Sequence, residues 1–526
     1  MENLSASLGW VDLLVMGVYV IGIIWWGLKK GKSKSSEDYF LAGKSMTWPI
    51  IGISLFAANV SSSSLLSWSG DAYSSGIAVF NYGWAAVIPL LFFLVFILPV
   101  YLKKNVFTMP EWLGKRFDNR SRYYLATMNM IGYVFLDIAQ ALYAGSLVVR
   151  LIFPELEIWQ IVWILAIVVA AYTIPGGLSS VIHTEVLQAI ILLLGSTLVT
   201  IFALNEAGGW AEVVKQTDPD MLKLIRPMDD ESVPWLGLVL GIPLLGFYYW
   251  CTNQSIVQRT LSAKSINEGR KGAILASFLN FPILFIMVLP GVFGLIIYPE
   301  IERPDLILPH LIFGLLPIGI KGLMVTALLA AMASTLSAVL NSASTVFSYD
   351  FMPLFKSNMS NKMMVRSGKI SALVMIVIAS LWAPAIGEFD SIVKYFQSVL
   401  SYMAPPIVAV FLFGMFWKRV NGTAAFSGLM AGLLGSIFLV FFKDDTILAN
   451  WHFLLVAPVI FVLSSSTIIA VTLASAFKVN PETDAWMWNT SYLVEDDLQG
   501  VVWYKNYRII SVILLVFTLF FVYIWR

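Results

Sequence analysis

The stretch SLFAANVSSSSLLSWSG, Ser54 to Gly70, decides how the rest of the chain is read. It continues the apolar run TWPIIGI, yet it carries Asn59 and four consecutive serines, Ser61, Ser62, Ser63 and Ser64. Around it lie 526 residues of which 59% are hydrophobic and 12% charged, against about 25% charged in an ordinary soluble domain. A membrane span needs roughly 20 apolar residues. Fourteen stretches qualify: 9–29, 47–72, 78–102, 123–149, 157–174, 180–205, 233–252, 271–298, 318–349, 368–386, 391–417, 423–442, 452–477 and 507–525. The two-residue alternation of a β-barrel is missing. These stretches predict an all-α integral membrane protein of fourteen transmembrane helices, with the lipid bilayer as its surroundings.

Charge refines this picture. Lys plus Arg number 33 and Asp plus Glu 32, so no net field invites nucleic acid. With fourteen spans, one set of alternate loops holds 24 of the 33 basic residues, from Lys29, Lys30, Lys32 and Lys34 through Arg116 and Arg259 to Lys356, Lys478 and Arg508. The basic side is expected to be cytoplasmic, which puts both termini on the extracytoplasmic side of the cell membrane. The leader MENLSASLGW has no Lys or Arg, so the first apolar stretch reads as a retained span. The single cysteine, Cys251, allows no internal disulfide. The longest polar segments, about 206–232 and 478–506, are too short for a domain.

What remains is the chemistry inside the spans, where polar groups are costly and face a bundle interior or a cavity. From Ala57 to Ser64, Asn and Ser together offer the backbone alternatives to the helix. An unwound segment at that depth lines a cavity and exposes carbonyl oxygens, one half of a cation site; close helix packing is the other reading of the serines. In the seventh span, GIPLLGFYYWCTNQSIVQRT, Gly241, Pro243 and Gly246 precede an aromatic run and then Thr252, Asn253 and Gln254. This is either an interfacial aromatic belt or a second broken helix, five spans after the first, as inverted repeats would place it. In the ninth span Ala331, Ser334 and Thr335 share one helical face, with Ser337 beside it. Neutral oxygens suit a monovalent hard cation, whereas a divalent ion would want carboxylates. Asp137 is the lone residue among Asp, Glu, Lys, Arg and His between Tyr123 and Val149. Its neighbours Tyr133 and Gln140 extend a polar stripe, and it is expected either to bond a neighbouring helix in protonated form or to face a solute and accept hydrogen bonds from hydroxyls or an amine.

GISLFAANVS, VFTMPEWLGKRF, YTIPGGLSSVIHTEVLQ, YYWCTNQSIVQRTLSAKS, the stretch ending LNSAST, and APPIVAVFLFGMFWKRVN occur in that order. With these motifs the chain resembles the solute:sodium symporter family, and within it the sodium–glucose cotransporter branch. The resemblance implies a LeuT-type core of two inverted five-helix repeats over about 47–417, an extra N-terminal helix at about 9–29 and three extra helices at about 423–525, all one membrane transport domain. It implies Na+ as coupling ion and uptake of a small-molecule solute by alternating access. It carries sodium ligation to Ala57, Val60, Ala331, Ser334 and Thr335, with Thr335 in place of a usual serine. A second sodium position maps to Glu185, one carbon longer than the usual aspartate, and to Ser337, while Ala338 has lost the other hydroxyl. Substrate contacts map to Asn59, Ser64, Tyr82, Asp137, Asn253, Asn280 and Gln397, and the inner gate to Tyr249.

The sugar positions depart from the branch. Gly83 stands where sugar carriers have glutamate, Ser64 where they have Gln or His, and Asn280 where many have lysine. A sugar or polyol is the first expectation, and sialic acid, a carboxylate or an amino-acid-like solute the second. A transporter-like sensor is a third. An enzyme is not expected: the three histidines, His183, His310 and His452, sit at span edges, and no HExxH, GxSxG or nucleotide-binding motif occurs.

Overall fold

The computed structural model describes residues 8–30, 42–301, 303–355, 360–389, 391–476, 480–494 and 502–526. The leader 1–7 and the loop lysines Lys32, Lys34, Lys356 and Lys478 lie outside the described residues. Among the described residues every regular element is helical, with two isolated bridges, Met46 to Ala263 and Arg226 to Pro234. Ten helices are long and apolar enough to cross a membrane. An eleventh arises if the pair Ile266–Leu279 and Leu284–Ile297, bent by 44°, counts as one span. The remaining expected stretches include shorter apolar helices, among them Trp48–Asn59 and Ile158–Ala171.

The elements that position the site are, in chain order, α1 (Trp10–Lys30), α2 (Trp48–Asn59), α3 (Ser62–Ser75), α4 (Ala139–Ile152), α5 (Ile158–Glu206), α6 (Gln254–Leu261), α7 (Ile266–Leu279), α8 (Ile320–Val346), α9 (Asn361–Trp382), α10 (Ile392–Phe416), α11 (Gly422–Phe442), α12 (Phe453–Ala474) and α13 (Tyr507–Ile524). The expected spans 157–174 and 180–205 are joined in α5, whose apolar segments Ile158–Ala171 and Val181–Glu206 have no non-helical linker between them. The boundary between the two expected spans falls on TIPGG, yet a proline removes one hydrogen bond and kinks a helix rather than necessarily ending it. The second span is broken, as expected, with Val60 at φ −93°, ψ 81° between α2 and α3.

The interior is built around α8. It packs on α5 and on α1, and most of its side chains are buried. Its N-terminus has no side-chain cap of its own. Asp12 of α1, fully buried, supplies one: its Oδ1 accepts the N–H of Gly319 and of Gly322, each at 2.7 Å, and its Oδ2 accepts the N–H of Gly9 at 2.9 Å. Gly319 takes φ +88°, and a Cβ on Gly322 would sit 2.5 Å from the Asp12 backbone, so both positions need glycine for this approach. At the other end of the core, buried Arg116 donates to the carbonyls of Gly414, Trp417 and Val420 and so satisfies the C-terminus of α10. Helices α11 and α12 pack on each other, and α12 packs on α10. Large apolar side chains such as Leu434, Phe438, Phe441, Val516 and Phe520 point outward, as a lipid-facing surface requires.

Candidate functional site

The break between α2 and α3 is made by side chains. The Ser61 N–H donates to Ser64 Oγ at 2.8 Å, and the Ser64 N–H donates to Ser61 Oγ at 3.1 Å, a reciprocal capping box. Those two amides are the i+4 donors that a continuous helix would have sent to the Ala57 and Val60 carbonyls. Diverting them leaves both carbonyl oxygens for another partner. The Ser64 hydroxyl also faces the Asn59 carbonyl at 2.9 Å, which holds the turn closed.

Across from the break, Thr335 of α8 shares a cavity wall with Ala58, Asn59, Ser61, Ser63 and Ser64. Its hydroxyl donates back to the Ala331 carbonyl at 3.1 Å. Ser334, next in the chain, is buried on the same helix. The cavity holds about 920 Å³ of empty space, its open mouth included. Asn59, Ser64, Tyr82, Asp137, Tyr249, Thr335 and Gln397 all reach it.

Two of its residues lie where the helix locally widens into a π-helical turn. Asp137 lies in a π-helical segment, Tyr133–Ile138, that leads into α4. Tyr249 lies in another, Tyr248–Thr252, where it meets Trp250 edge-to-face at 5.2 Å between ring centroids. Such bulges re-aim side chains and recur at functional sites. Several wall groups lack protein partners. Among the described residues the Tyr82 hydroxyl and Gln397 Oε1 have none, and Asp137 finds no hydrogen-bond or ion-pair partner. In a buried setting such groups mark where a ligand's polar atoms go.

Asn253 and Asn280 do not line the cavity. Asn253 caps α6: its Oδ1 accepts the Ser255 N–H at 2.9 Å and faces the Ser255 hydroxyl at 2.7 Å. It is here, at φ −70°, ψ 118°, that the second break falls. Gly241 and Pro243, where the sequence suggested it, stay helical because the Gly241 N–H still reaches the Gly237 carbonyl at 2.8 Å. Asn280 sits behind the wall at the bend after α7, accepts from Asn59 Nδ2 at 3.0 Å and donates to the Ala276 carbonyl at 3.0 Å. It orients Asn59.

Glu185 and Ser337 have separate partners. Glu185 pairs with Arg259 of α6, Oε1 to Nη2 at 2.5 Å and Oε2 to Nε at 3.2 Å, and accepts from Ser54 Oγ at 2.5 Å. Both charged side chains are almost wholly buried. Ser337 bonds Thr173 at 2.6 Å and the Ala333 carbonyl at 2.8 Å. The carboxylate expected at a second sodium position therefore already has a cation.

Gly83 explains one departure from the sugar-carrier pattern. A Cβ there would meet the Phe80 ring at 3.0 Å and the Trp68 ring at 3.2 Å, so a glutamate would need both rings to shift by a few tenths of an ångström. Trp68, Gln140, Trp250 and Phe396 also line the cavity. Gln140 was visible as the i+3 neighbour of Asp137. Trp68 follows Ser64 by one helical turn, a spacing that a buried aromatic would share.

The model of the sodium:solute symporter family matches residues 39–432. Sodium/glucose cotransporter 1 of Oryctolagus cuniculus is 33% identical over 520 residues, covering 88% of this chain and 78% of that protein. A sodium/glucose cotransporter of Vibrio parahaemolyticus is 35% identical over 474 residues, covering 84% and 87%. The human sodium/myo-inositol cotransporter is 33% identical, covering 83% and 68%. Among solved structures, a Na+-coupled sialic acid symporter in a substrate-bound outward-open state superposes with a TM-score of 0.79 at 24% identity, covering 90% of this chain and 99% of that one.

Proposed function

The chain belongs to the sodium:solute symporter family, and on that premise we propose that it imports a sugar or polyol by alternating access. It is a multi-pass membrane transporter, not an enzyme, and sodium is its coupling ion. One observation carries the mechanism: the Ser61–Ser64 capping box strips the Ala57 and Val60 carbonyls of their helical donors beside Thr335. We assign sodium to those two carbonyls, the Ala331 carbonyl and the Ser334 and Thr335 hydroxyls. Such a set bridges α2 and α8, so binding the ion favours arrangements in which the two helices stay together. The solute occupies the adjoining cavity, held by Asn59, Ser64, Tyr82, Asp137 and Gln397, with Tyr249 closing its cytoplasmic side. Asn253 and Asn280 act as positioning residues, and Glu185 belongs to the scaffold.

The same reading takes the chain as one transport domain with fourteen spans, which requires α5 to double back between Ala171 and Val181 so that its two apolar segments cross separately. Its core of two inverted five-helix repeats covers about 47–417, and both termini face outside. The two breaks, at Val60 and Asn253, support the repeats because they fall five spans apart. The test is uptake into liposomes holding the purified protein, with D-glucose, myo-inositol and N-acetylneuraminate supplied under sodium or choline gradients. Sodium-dependent accumulation of glucose or inositol is expected. Accumulation of N-acetylneuraminate alone would replace the sugar reading, and equal uptake under choline would remove the sodium coupling.

A further inference from the structure

We infer that the cavity selects a solute carrying a protonated amine beside its hydroxyls, an amino sugar or amino polyol, with Asp137 as the counter-charge. The inference rests on the sugar-or-polyol reading and narrows it. Among the described residues lining the cavity, Asp137 is the one drawn from Asp, Glu, Lys, Arg and His; every other lining group is a hydroxyl, an amide, an aromatic ring or an aliphatic side chain.

The chain treats its other buried acids differently. Glu185 has Arg259 and Ser54. Asp350 has Arg122 at 2.7 Å, Asp12 has three backbone amides, and Asp305, though neither of its oxygens is hydrogen-bonded among the described residues, has the Arg303 charge at 3.5 Å. Asp71 faces the Ser232 hydroxyl at 3.4 Å. Where a carboxylate is structural, the fold supplies its partner. Asp137 has no bonded partner among the described residues and reaches the cavity from a π-helical segment.

A buried charge needs a counter-charge when water leaves. A neutral hexose would seal the carboxylate against hydroxyls alone. A carboxylated solute would add a second negative charge to a wall with no Lys, Arg or His. An ammonium group satisfies it. The rings of Trp68, Tyr82, Tyr249, Trp250 and Phe396 around the same space present faces that attract cations, while the serines, Asn59, Gln140 and Gln397 serve hydroxyls. The alternative counter-charge is sodium itself, since Thr335 shares the wall, and the test separates the two.

Full-length protein in liposomes is given a sodium gradient. Tracer uptake is competed with D-glucose, its 1-, 2- and 6-amino-deoxy analogues, N-acetyl-D-glucosamine and D-glucuronate. At least one amine is expected to compete about tenfold better than glucose, as a charge-assisted bond in a closed site allows. N-acetylation should cancel the gain, and glucuronate should compete least. In Asp137→Asn the amine-to-glucose ratio should fall to about one. If glucose matches or exceeds every amine in the native protein, the inference is overturned while the sugar reading stands. It is also overturned if Asp137→Asn shifts the sodium half-activation and leaves the amine-to-glucose ratio intact, which would make Asp137 a counter-charge for sodium. Absence of sodium-dependent sugar uptake altogether would instead take down the reading on which the inference depends.

Discussion

Ser64 shows how much one hydroxyl can do. It accepts the Ser61 amide and faces the Asn59 carbonyl. Ser64→Ala loses the N3 half of the capping box and frees the Ser61 amide to return to the Ala57 carbonyl. The sodium concentration for half-maximal uptake should rise several-fold, and Ser64→Thr should keep most of the native value. An activation curve that does not move in the alanine variant would detach the cap from the ion site. That this segment breaks was legible, because Asn and Ser in series weaken any helix. Which oxygen caps and which binds was not. Asn59 and Asn253 each follow an apolar run and precede small polar residues, yet the first faces the cavity and the second turns to Ser255. Side-chain to backbone bonding of this kind follows local geometry that residue type alone does not encode.

Between elements, the contact of widest consequence joins α1 to α8. Asp12→Ala leaves the buried amides of Gly319 and Gly322 without an acceptor, at about 1–3 kcal/mol for a buried unsatisfied group. The melting temperature in detergent should fall by several degrees, and Asp12→Asn, which keeps one acceptor oxygen, should recover part of the loss. Equal melting temperatures for all three proteins would show that α8 needs no cap from α1. Nothing in WVDLLVMG pointed to this role, since the partner glycines lie more than 300 residues away. The joining of the two apolar segments in α5 was hidden for a different reason. Pro and Gly are read as stops, and TIPGG contains both. By contrast, the shared face of Ala331, Ser334 and Thr335 was legible, because helical periodicity is a property of the sequence itself.

At the scale of the whole molecule, the ion pair between Glu185 and Arg259 ties α2, α5 and α6 into one block through Ser54 and Ser255. A carboxylate so engaged is not offered to a second cation. Reversal potentials measured in liposomes should therefore fit the coupling of a single sodium to each solute. A ratio near two would require Glu185 to change partners during the cycle. Glu185→Gln, which leaves a buried guanidinium uncompensated, should destabilise the protein by about 3–5 kcal/mol, read as a large drop in melting temperature with sodium absent. The global character of the chain was the most legible feature. Its apolar stretches are long, and composition alone demands a membrane. The cavity was less so, because its wall is assembled from segments as distant as Ala58 and Leu400.

The reciprocal bonds between Ser61 and Ser64 also bear on timing. The turn they close is internal to the chain, so the cost of unwinding it is met when the protein folds and not when an ion arrives. On the proposed assignment, sodium then enters a seat whose Ala57 and Val60 carbonyls the turn has already freed. Its association should follow simple one-step kinetics without a slow rearrangement, and the free energy it releases stays available to drive the gate.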